Sequence, residues 1–377
     1  ADGIKAAILI CYDVEFAPLL RELALQGVRL LLVPTANPEP NIHVSKLVVP
    51  AHAINHGLTI AYANYAGAEG DITYCGGSTI VAPDAAIHYN NPVRSRAEIA
   101  FAIDRNVTSW SVDSRSELAK LIELVPAKGC EISVRFKLPV EGAAYNFGAK
   151  FGATAEVAAE LLKIVADAGF VPSITFHPGT QCTDPAAWAS YIRAAAVIAQ
   201  KAGVKIARLN VGGGFPNHRA VGVLPQLEET FATIDRVTDE AFGAERPELV
   251  CEPGRAMCGD AFTLAARVKA VRDGTHVFLN DGLYGSLFEL GQIGIIDRIT
   301  VLTPAGQRRK GAVHGRICFG PTCDSVDRLP GDLPFPDDIA EGDFVIFEGM
   351  GAYSTVTNSR FNGFGELGLV TVLGLSL

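Results

Sequence analysis

No stripe of lysines and arginines with interleaved aromatics runs through this sequence. Its formal net charge is −9, so nucleic acid is excluded as a partner. No apolar run is long enough to span a bilayer; the longest near the start runs only from Ala6 to Cys11. A basic n-region and a cleavage site are both missing, so no signal peptide is read, and a membrane role is set aside. The first strand is entered within a few residues of Ala1, which suggests missing N-terminal material. The eight cysteines form no C-x-x-C pair and no zinc-like spacing, which argues against a metal site and for reduced thiols in a cytoplasm. Charged residues are only 19% and hydrophobic ones 49%, a balance that excludes disorder and suits a packed α/β protein of two or three domains.

The most informative stretch present is Leu209-Asn210-Val211-Gly212-Gly213-Gly214-Phe215-Pro216. A β-rich run delivers three glycines and then a proline. Such a backbone can wrap an anion, usually a phosphate, with its N–H groups; it can equally be a tight turn with nothing bound. Glu252-Pro253-Gly254-Arg255 and the segment Cys318 to Arg328 follow downstream, each setting charged or nucleophilic groups beside turns.

In chain order, Lys5 to Cys11 reads as a buried strand, Phe16 to Gln26 as a helix and Val28 to Val33 as a second strand. A second helical pattern covers Asn41 to His56, and Leu58 to Ala66 and Ile72 to Val81 read as strands. From Ile87 onward strand-then-helix units repeat. Strands are expected at Ser109–Val112, Ile132–Phe136, Ile174–Phe176, Ile206–Val211 and Leu249–Cys251, with S-x-x-E boxes at Ser95 and Ser114 opening helices. The helix Ala155–Ala168 presents Val157, Leu161, Ile164, Val165 and Ala168 as its apolar face, and Asp184-Pro185 opens another. Six such strands where a closed barrel has eight predict an incomplete (β/α)8 TIM-type barrel over 85–269. A strand-rich C-terminal β domain over 270–377 follows it.

Two family resemblances sit on these stretches. Ile8-Leu9-Ile10-Cys11-Tyr12-Asp13-Val14-Glu15-Phe16, with Leu31 to Ala36 and Gly76-Gly77-Ser78, resembles the nucleophile segment of the nitrilase (carbon–nitrogen hydrolase) superfamily. It makes residues 1–84 a nitrilase-like α/β fragment. Cys11 matches the nucleophile, but the family's glutamate and lysine have no counterpart here. A cysteine without its base is a weak nucleophile, so Cys11 is read as a buried strand cysteine.

Residues 87–377 resemble the fold-type III pyridoxal-phosphate-dependent decarboxylases of basic amino acids, the ornithine decarboxylase group. The matching stretches are Phe176-His177-Pro178-Gly179-Thr180-Gln181, Asn210 to Pro216, Glu252 to Arg255, Asn280 to Ser286, Cys318 to Arg328, Glu348 to Tyr353 and Phe361 to Phe364. The resemblance implies decarboxylation of a diamino acid, ornithine first, to a diamine by a homodimer with shared sites. His177 would stack on the ring of pyridoxal 5'-phosphate and Glu252 would pair with its nitrogen. Gly212, Gly213, Gly214, Arg255, Tyr353 and Thr180 would hold its phosphate. Cys323 would donate a proton and Asp324 bind the distal amine in the partner's site, and Lys150 and Asp327 would pair across the dimer. The family's cofactor-tethering lysine belongs on a barrel strand whose place the nitrilase-like segment takes, so the decarboxylation is expected to be impaired. Lys5 and Lys46 are the only lysines in 1–86, and both read as solvated. Residues 1–57 follow a β-α-β-α pattern that either completes the barrel or forms a separate module. The rival expectation is a non-catalytic homologue that dimerises or regulates.

Overall fold

The computed structural model describes residues 4–82, 88–139, 143, 148–219, 224–294 and 297–368. Ile87 and the expected boundary near residue 85 lie outside them. The chain divides into two compact units, residues 1–111 with 119–132 and residues 112–118 with 133–377.

In the first unit β1 (Ala6–Ile8), β2 (Leu30–Thr35) and β3 (Thr59–Asn64) pair in parallel, and β6 (Thr79–Val81) closes the sheet antiparallel to β3. Between them α1 (Ala17–Leu25) ends at Gly27 and α2 (Val49–His56) at Gly57, both glycines at positive φ. Leu20, Leu31, Val49, Leu58 and Ile60 are fully buried among these elements.

Two expectations need correction here. The run Ile72–Val81 is not one strand: β5 (Ile72–Cys75) folds back on β4 (Ala66–Glu69), and β6 joins β3 instead. Gly76 and Gly77, at φ 58° and 73°, make the break. Nor is Cys11 a buried strand residue. The strand ends at Ile8, and Cys11 is half-buried at φ 52° where a 3-10 turn opens. The turn is held locally, since Asp13 Oδ2 accepts the Ile10 N–H at 3.3 Å. β7 (His88–Tyr89) and β8 (Ser109–Val112) pair in parallel around α3 (Arg96–Ile103). The box expected at Ser95 forms: Ser95 Oγ accepts from Glu98 N–H, and Ser95 N–H donates to Glu98 Oε2 at 2.6 Å.

After α4 (Arg115–Leu124) come β9 (Glu131–Arg135), α5 (Ala155–Asp167), β10 (Val171–Thr175), α6 (Pro185–Ala202), β11 (Arg208–Asn210), α7 (Leu227–Phe242), β12 (Glu248–Val250) and α8 (Gly254–Cys258). β10 and β11, and β11 and β12, are parallel neighbours. All six expected strands are present and each leads into a helix. The buried face of α5 is turned from the expected one. Ala158, Leu161, Leu162 and Val165 are inside, while Ile164 is 37% exposed. Trp188, Tyr191, Ile192, Ala195, Ile198 and Ala199 recur at helical spacing on α6 and are all buried. Asp184 caps that helix by accepting from Ala186 N–H at 2.8 Å.

The β domain holds β13 (Thr263–Arg272), β14 (His276–Leu279), α9 (Leu290–Ile293), β15 (Ile299–Leu302), β16 (Val313–Phe319), β17 (Leu333–Pro336) and β18 (Phe344–Glu348). Its sheet order is β15-β18-β13-β14-β16-β17. Val277, Leu279, Leu333, Phe335 and Phe347 form its fully buried centre.

Candidate cofactor and substrate site

The reactive side chains gather just past the C-terminal ends of β9 to β12, where parallel β/α units collect their chemistry. Aromatic packing fixes two of these ends. The ring of Tyr191 on α6 stacks on Phe176 at 4.6 Å between centroids, and Phe136 packs edge-on against Phe176 at 5.8 Å. The Tyr191 hydroxyl then donates to Leu138 O and accepts from Leu138 N–H. The backbones carrying Arg135 and His177 are thereby held to one helix.

The glycine stretch follows β11 and bends back across both neighbouring strands. A Cβ on Gly212 would stand 2.1 Å from Phe176 O, one on Gly213 2.7 Å from Glu252 O, and one on Gly214 2.0 Å from Gly179 O. Gly212 and Gly214 also adopt φ 69° and 85°. Three successive side chains are thus excluded by backbone on either side, which leaves a cradle of main-chain atoms. Asn210 braces it. Its Nδ2 donates to Glu252 Oε1 at 2.7 Å, and its Oδ1 accepts the Gly212 N–H at 2.9 Å. Past the cradle, Phe215 is stacked between Trp188 of α6 and Phe231 of α7, each 4.9 Å away. Gln181 and Asn217 exchange amide–backbone bonds, and Cys182 N–H donates to Gly214 O at 2.8 Å. Half-buried Thr180 sits in the loop so tied.

The His177 ring lies against this cradle, with Nε2 3.1 Å from where a Gly213 side chain would begin. Burial, with the charge of Arg135 adding, pushes its pKa down to about 4. Its Nδ1 accepts the Gly179 N–H at 3.1 Å, so the neutral ring carries its proton on Nε2. Arg135 is itself lowered by burial, against which the carboxylates of Glu252 and Asp113 act. A neutral imidazole, a carboxylate braced by an amide and a glycine turn free of side chains are chemically suited to a flat, protonated, phosphorylated heterocycle.

Beside the cradle, Arg255 is buried and pairs with Glu289, Nη1 donating to Oε2 at 2.6 Å. Its guanidinium carbon lies 5.1 Å from the centre of the Tyr353 ring, and Tyr353 is held at φ 58°. Cys323 and Asp324 lie in the β domain. The Tyr284 hydroxyl donates to Asp324 Oδ2 at 2.6 Å, and this bond, with the Val326 N–H, lowers the Asp324 pKa. Asn362 Nδ2 donates to Cys323 Sγ at 3.0 Å, and Phe361 lies 4.5 Å from the Tyr284 ring. Among the described residues no ion pair joins Lys150 to Asp327 within one chain. Lys150 lies over the Phe151 ring. Asp327, 1% exposed, accepts from Leu283 N–H and from both donors of Thr322. Sequence reasoning gave no role to Arg135, Asn210, Tyr284 or Glu289. A lone arginine at the end of an otherwise uncharged strand core was the available signal for the first.

Residues 76–259 match the family model described as the pyridoxal-binding domain of pyridoxal-dependent decarboxylases. A lysine/ornithine decarboxylase of Selenomonas ruminantium is 33% identical over 285 residues, covering 73% of this chain and 69% of that one. The chain belongs to the pyridoxal-dependent decarboxylases. The family's cofactor is pyridoxal phosphate; the glycine turn, which has no room for a Cβ, and the His177, Glu252 and Arg255 side chains around it are of the types that such a group needs. An ornithine decarboxylase of Cricetulus griseus is 29% identical over 75% of this chain and 65% of its own length. The arginine decarboxylase of Paramecium bursaria Chlorella virus shares the fold with a TM-score of 0.67 at 23% identity, over 96% of this chain and 88% of that one. A Selenomonas ruminantium lysine decarboxylase variant solved with its cofactor gives 0.64 at 25% identity, over 96% and 84%. Residues 1–110 of this decarboxylase also match the carbon–nitrogen hydrolase model, overlapping the first match from residue 76.

Proposed function

We propose that this chain carries a decarboxylation site for a basic diamino acid, with L-ornithine to putrescine as the preferred reaction. The observation that carries the reading is the side-chain-free cradle of Gly212, Gly213 and Gly214, flanked by His177, Glu252 and Arg255. When bound, pyridoxal phosphate supplies a sink for the electron pair left by departing CO₂. The chain's own residues do the rest. Glycine N–H groups, Arg255, Thr180 and Tyr353 would hold the cofactor's phosphate, neutral His177 would stack on its ring, and Glu252, steadied by Asn210, would pair with its ring nitrogen. Asp324, held ionised by Tyr284, binds the substrate's distal ammonium, and the Cys323 thiol donates a proton to the reacting carbon. Shared sites in a twofold dimer are part of this reading: Cys323 and Asp324, held in the β domain by Asn362 and Tyr284, would act in the partner's site, and Lys150 would pair with Asp327 across the dimer. All eight cysteines are free, which supports a reducing, cytoplasmic setting.

One observation favours a second reading, a non-catalytic homologue that dimerises or regulates. Neither early lysine occupies a buried site: Lys5 Nζ donates to Gln26 O at 2.8 Å and Lys46 is exposed. Both readings are tested by titrating the protein with pyridoxal phosphate, recording spectra before and after borohydride, and assaying CO₂ release from ornithine, lysine and arginine. Saturable binding with CO₂ release fastest from ornithine supports the enzyme. Saturable binding with no CO₂ release, even after residues 1–86 are replaced by two βα units that carry the cofactor-tethering lysine, supports the homologue, and absence of saturable binding overturns the site.

A further inference from the structure

The guanidinium proposed to hold phosphate is already engaged. Arg255 Nη1 donates to Glu289 Oε2 at 2.6 Å, and Nη2 meets the other carboxylate oxygen. Only 7% and 12% of the two side chains reach solvent. A buried fork-to-fork pair is strong in place and costly to break, because each partner alone is a desolvated charge. An incoming phosphate must therefore compete with a carboxylate that geometry already favours.

A third charged group offers the way out. Arg219, five residues past Gly214 in the same loop, anchors its Nη2 on Gly294 O at 2.6 Å, just past α9, whose N-cap is Glu289. Burial pushes its pKa down to about 10; the charge of Arg255 lowers it further and that of Glu289 opposes this. One carboxylate is therefore bonded to one arginine, while a second arginine is anchored on the carbonyl that ends the same short helix.

We propose that Glu289 is an internal stand-in for phosphate: it holds Arg255 until a phosphomonoester enters, and then passes to Arg219. Loading is then an exchange of anions in which neither the carboxylate nor either guanidinium is left buried and unpaired. The proposal rests on the phosphate site described under the proposed function, and Glu289 acts on it as a positioning residue. It also selects for strong anions, since a ligand must outbid a preorganised carboxylate to reach Arg255.

The test is calorimetric binding of inorganic phosphate, pyridoxal phosphate and phosphate-free pyridoxal to the full chain. Glu289→Gln should bind both phosphate ligands about tenfold more tightly, about 1.4 kcal/mol, with pyridoxal unchanged. Arg219→Gln should bind them about tenfold more weakly, because the displaced carboxylate has nowhere to go. In the Glu289→Gln background the same Arg219 change should cost little, a coupling read from the double-mutant cycle. Should the glutamine variant fail to fold, Glu289→Asp keeps the charge with a shorter reach and should still tighten phosphate binding. Unchanged or weaker binding by a folded Glu289 variant, or an equal Arg219 effect in both backgrounds, overturns the exchange. Arg255→Gln separates the two ideas. If it leaves phosphate binding intact, the phosphate site itself falls; if it weakens binding while Glu289→Gln does not tighten it, only the exchange falls.

Discussion

Asn210 ties Glu252 to the glycine turn. One side-chain amide donates to Glu252 Oε1 at 2.7 Å and accepts the Gly212 N–H at 2.9 Å, so the carboxylate proposed to meet the cofactor's nitrogen and the turn proposed to hold its phosphate are set by one residue. Replacing Asn210 with alanine frees both at once. A hydrogen bond to a charged group is worth about 1.5–3 kcal/mol, so pyridoxal phosphate should bind at least tenfold more weakly. A spectral titration of Asn210→Ala with wild-type affinity would remove this brace from the account.

The cradle makes a steric prediction with a built-in control. Alanine at Gly214 would need φ 85° and a Cβ 2.0 Å from Gly179 O, whereas a Cβ on Gly254 meets nothing within 4 Å. Gly214→Ala should lose cofactor binding and about 1–3 kcal/mol of stability, while Gly254→Ala should unfold in urea as the parent does. Equal midpoints for the two variants would contradict the geometry.

His177 gives the fold a dependence on pH. Its pKa falls from 6.5 to about 4 on folding, so the unfolded chain binds the proton first. Its contribution is fully present above pH 6.5, declines between 6.5 and about 4, and is constant below that, for a total of up to about 3 kcal/mol. His177→Gln should flatten the stability profile in that window. Urea midpoints that fall in parallel for both proteins between pH 6.5 and 4 would assign the slope to other groups.

Tyr284 should govern substrate recognition through Asp324 without touching the cofactor. Tyr284→Phe removes the hydroxyl bonded at 2.6 Å to the Asp324 carboxylate, leaving it mobile and its pKa nearer the ordinary range. KM for a diamino acid should rise about tenfold with kcat less affected, and pyridoxal phosphate affinity should be unchanged. These kinetics need a version of the chain with measurable turnover. A fall in kcat alone would place Tyr284 in the chemical step instead.

The cofactor-tethering lysine dominates the kinetic expectation. Loss of a single catalytic group commonly costs ~10²–10⁶ in rate, and turnover of ornithine by the 377-residue chain should be slowed on that scale. Replacing residues 1–86 by two βα units that carry the lysine should restore it. In that restored version, mixing Cys323→Ala and Arg255→Ala chains should regenerate one intact shared site per heterodimer. Fast CO₂ release by the chain as it stands, with a borohydride-fixed lysine found by mass spectrometry, would identify an unexpected substitute.

Local signals were enough for much of this protein. The helix beginning at Asp184-Pro185 and the box at Ser95 are written in adjacent residues, because capping is satisfied within one turn. Three glycines and a proline after a β run marked the cradle, since no other residue tolerates those backbone angles beside close neighbours. What local pattern misjudged depended on partners far away in sequence. The run Ile72–Val81 reads as one strand, yet its two halves pair with different strands across Gly76-Gly77. Ile164 has the right period for the α5 core but lies on its exposed flank. Arg135, Asn210 and Glu289 were silent because a charge or an amide reveals its work only through what it meets. Glu289 reaches Arg255 across 34 residues of chain and Asn210 reaches Glu252 across 42. The sequence by itself determined the family and the side-chain-free glycine turn proposed to hold a phosphate. Only the tertiary structure decided which side chains brace that backbone and which carboxylate occupies its arginine, because burial and Coulombic contact are properties of neighbours in space.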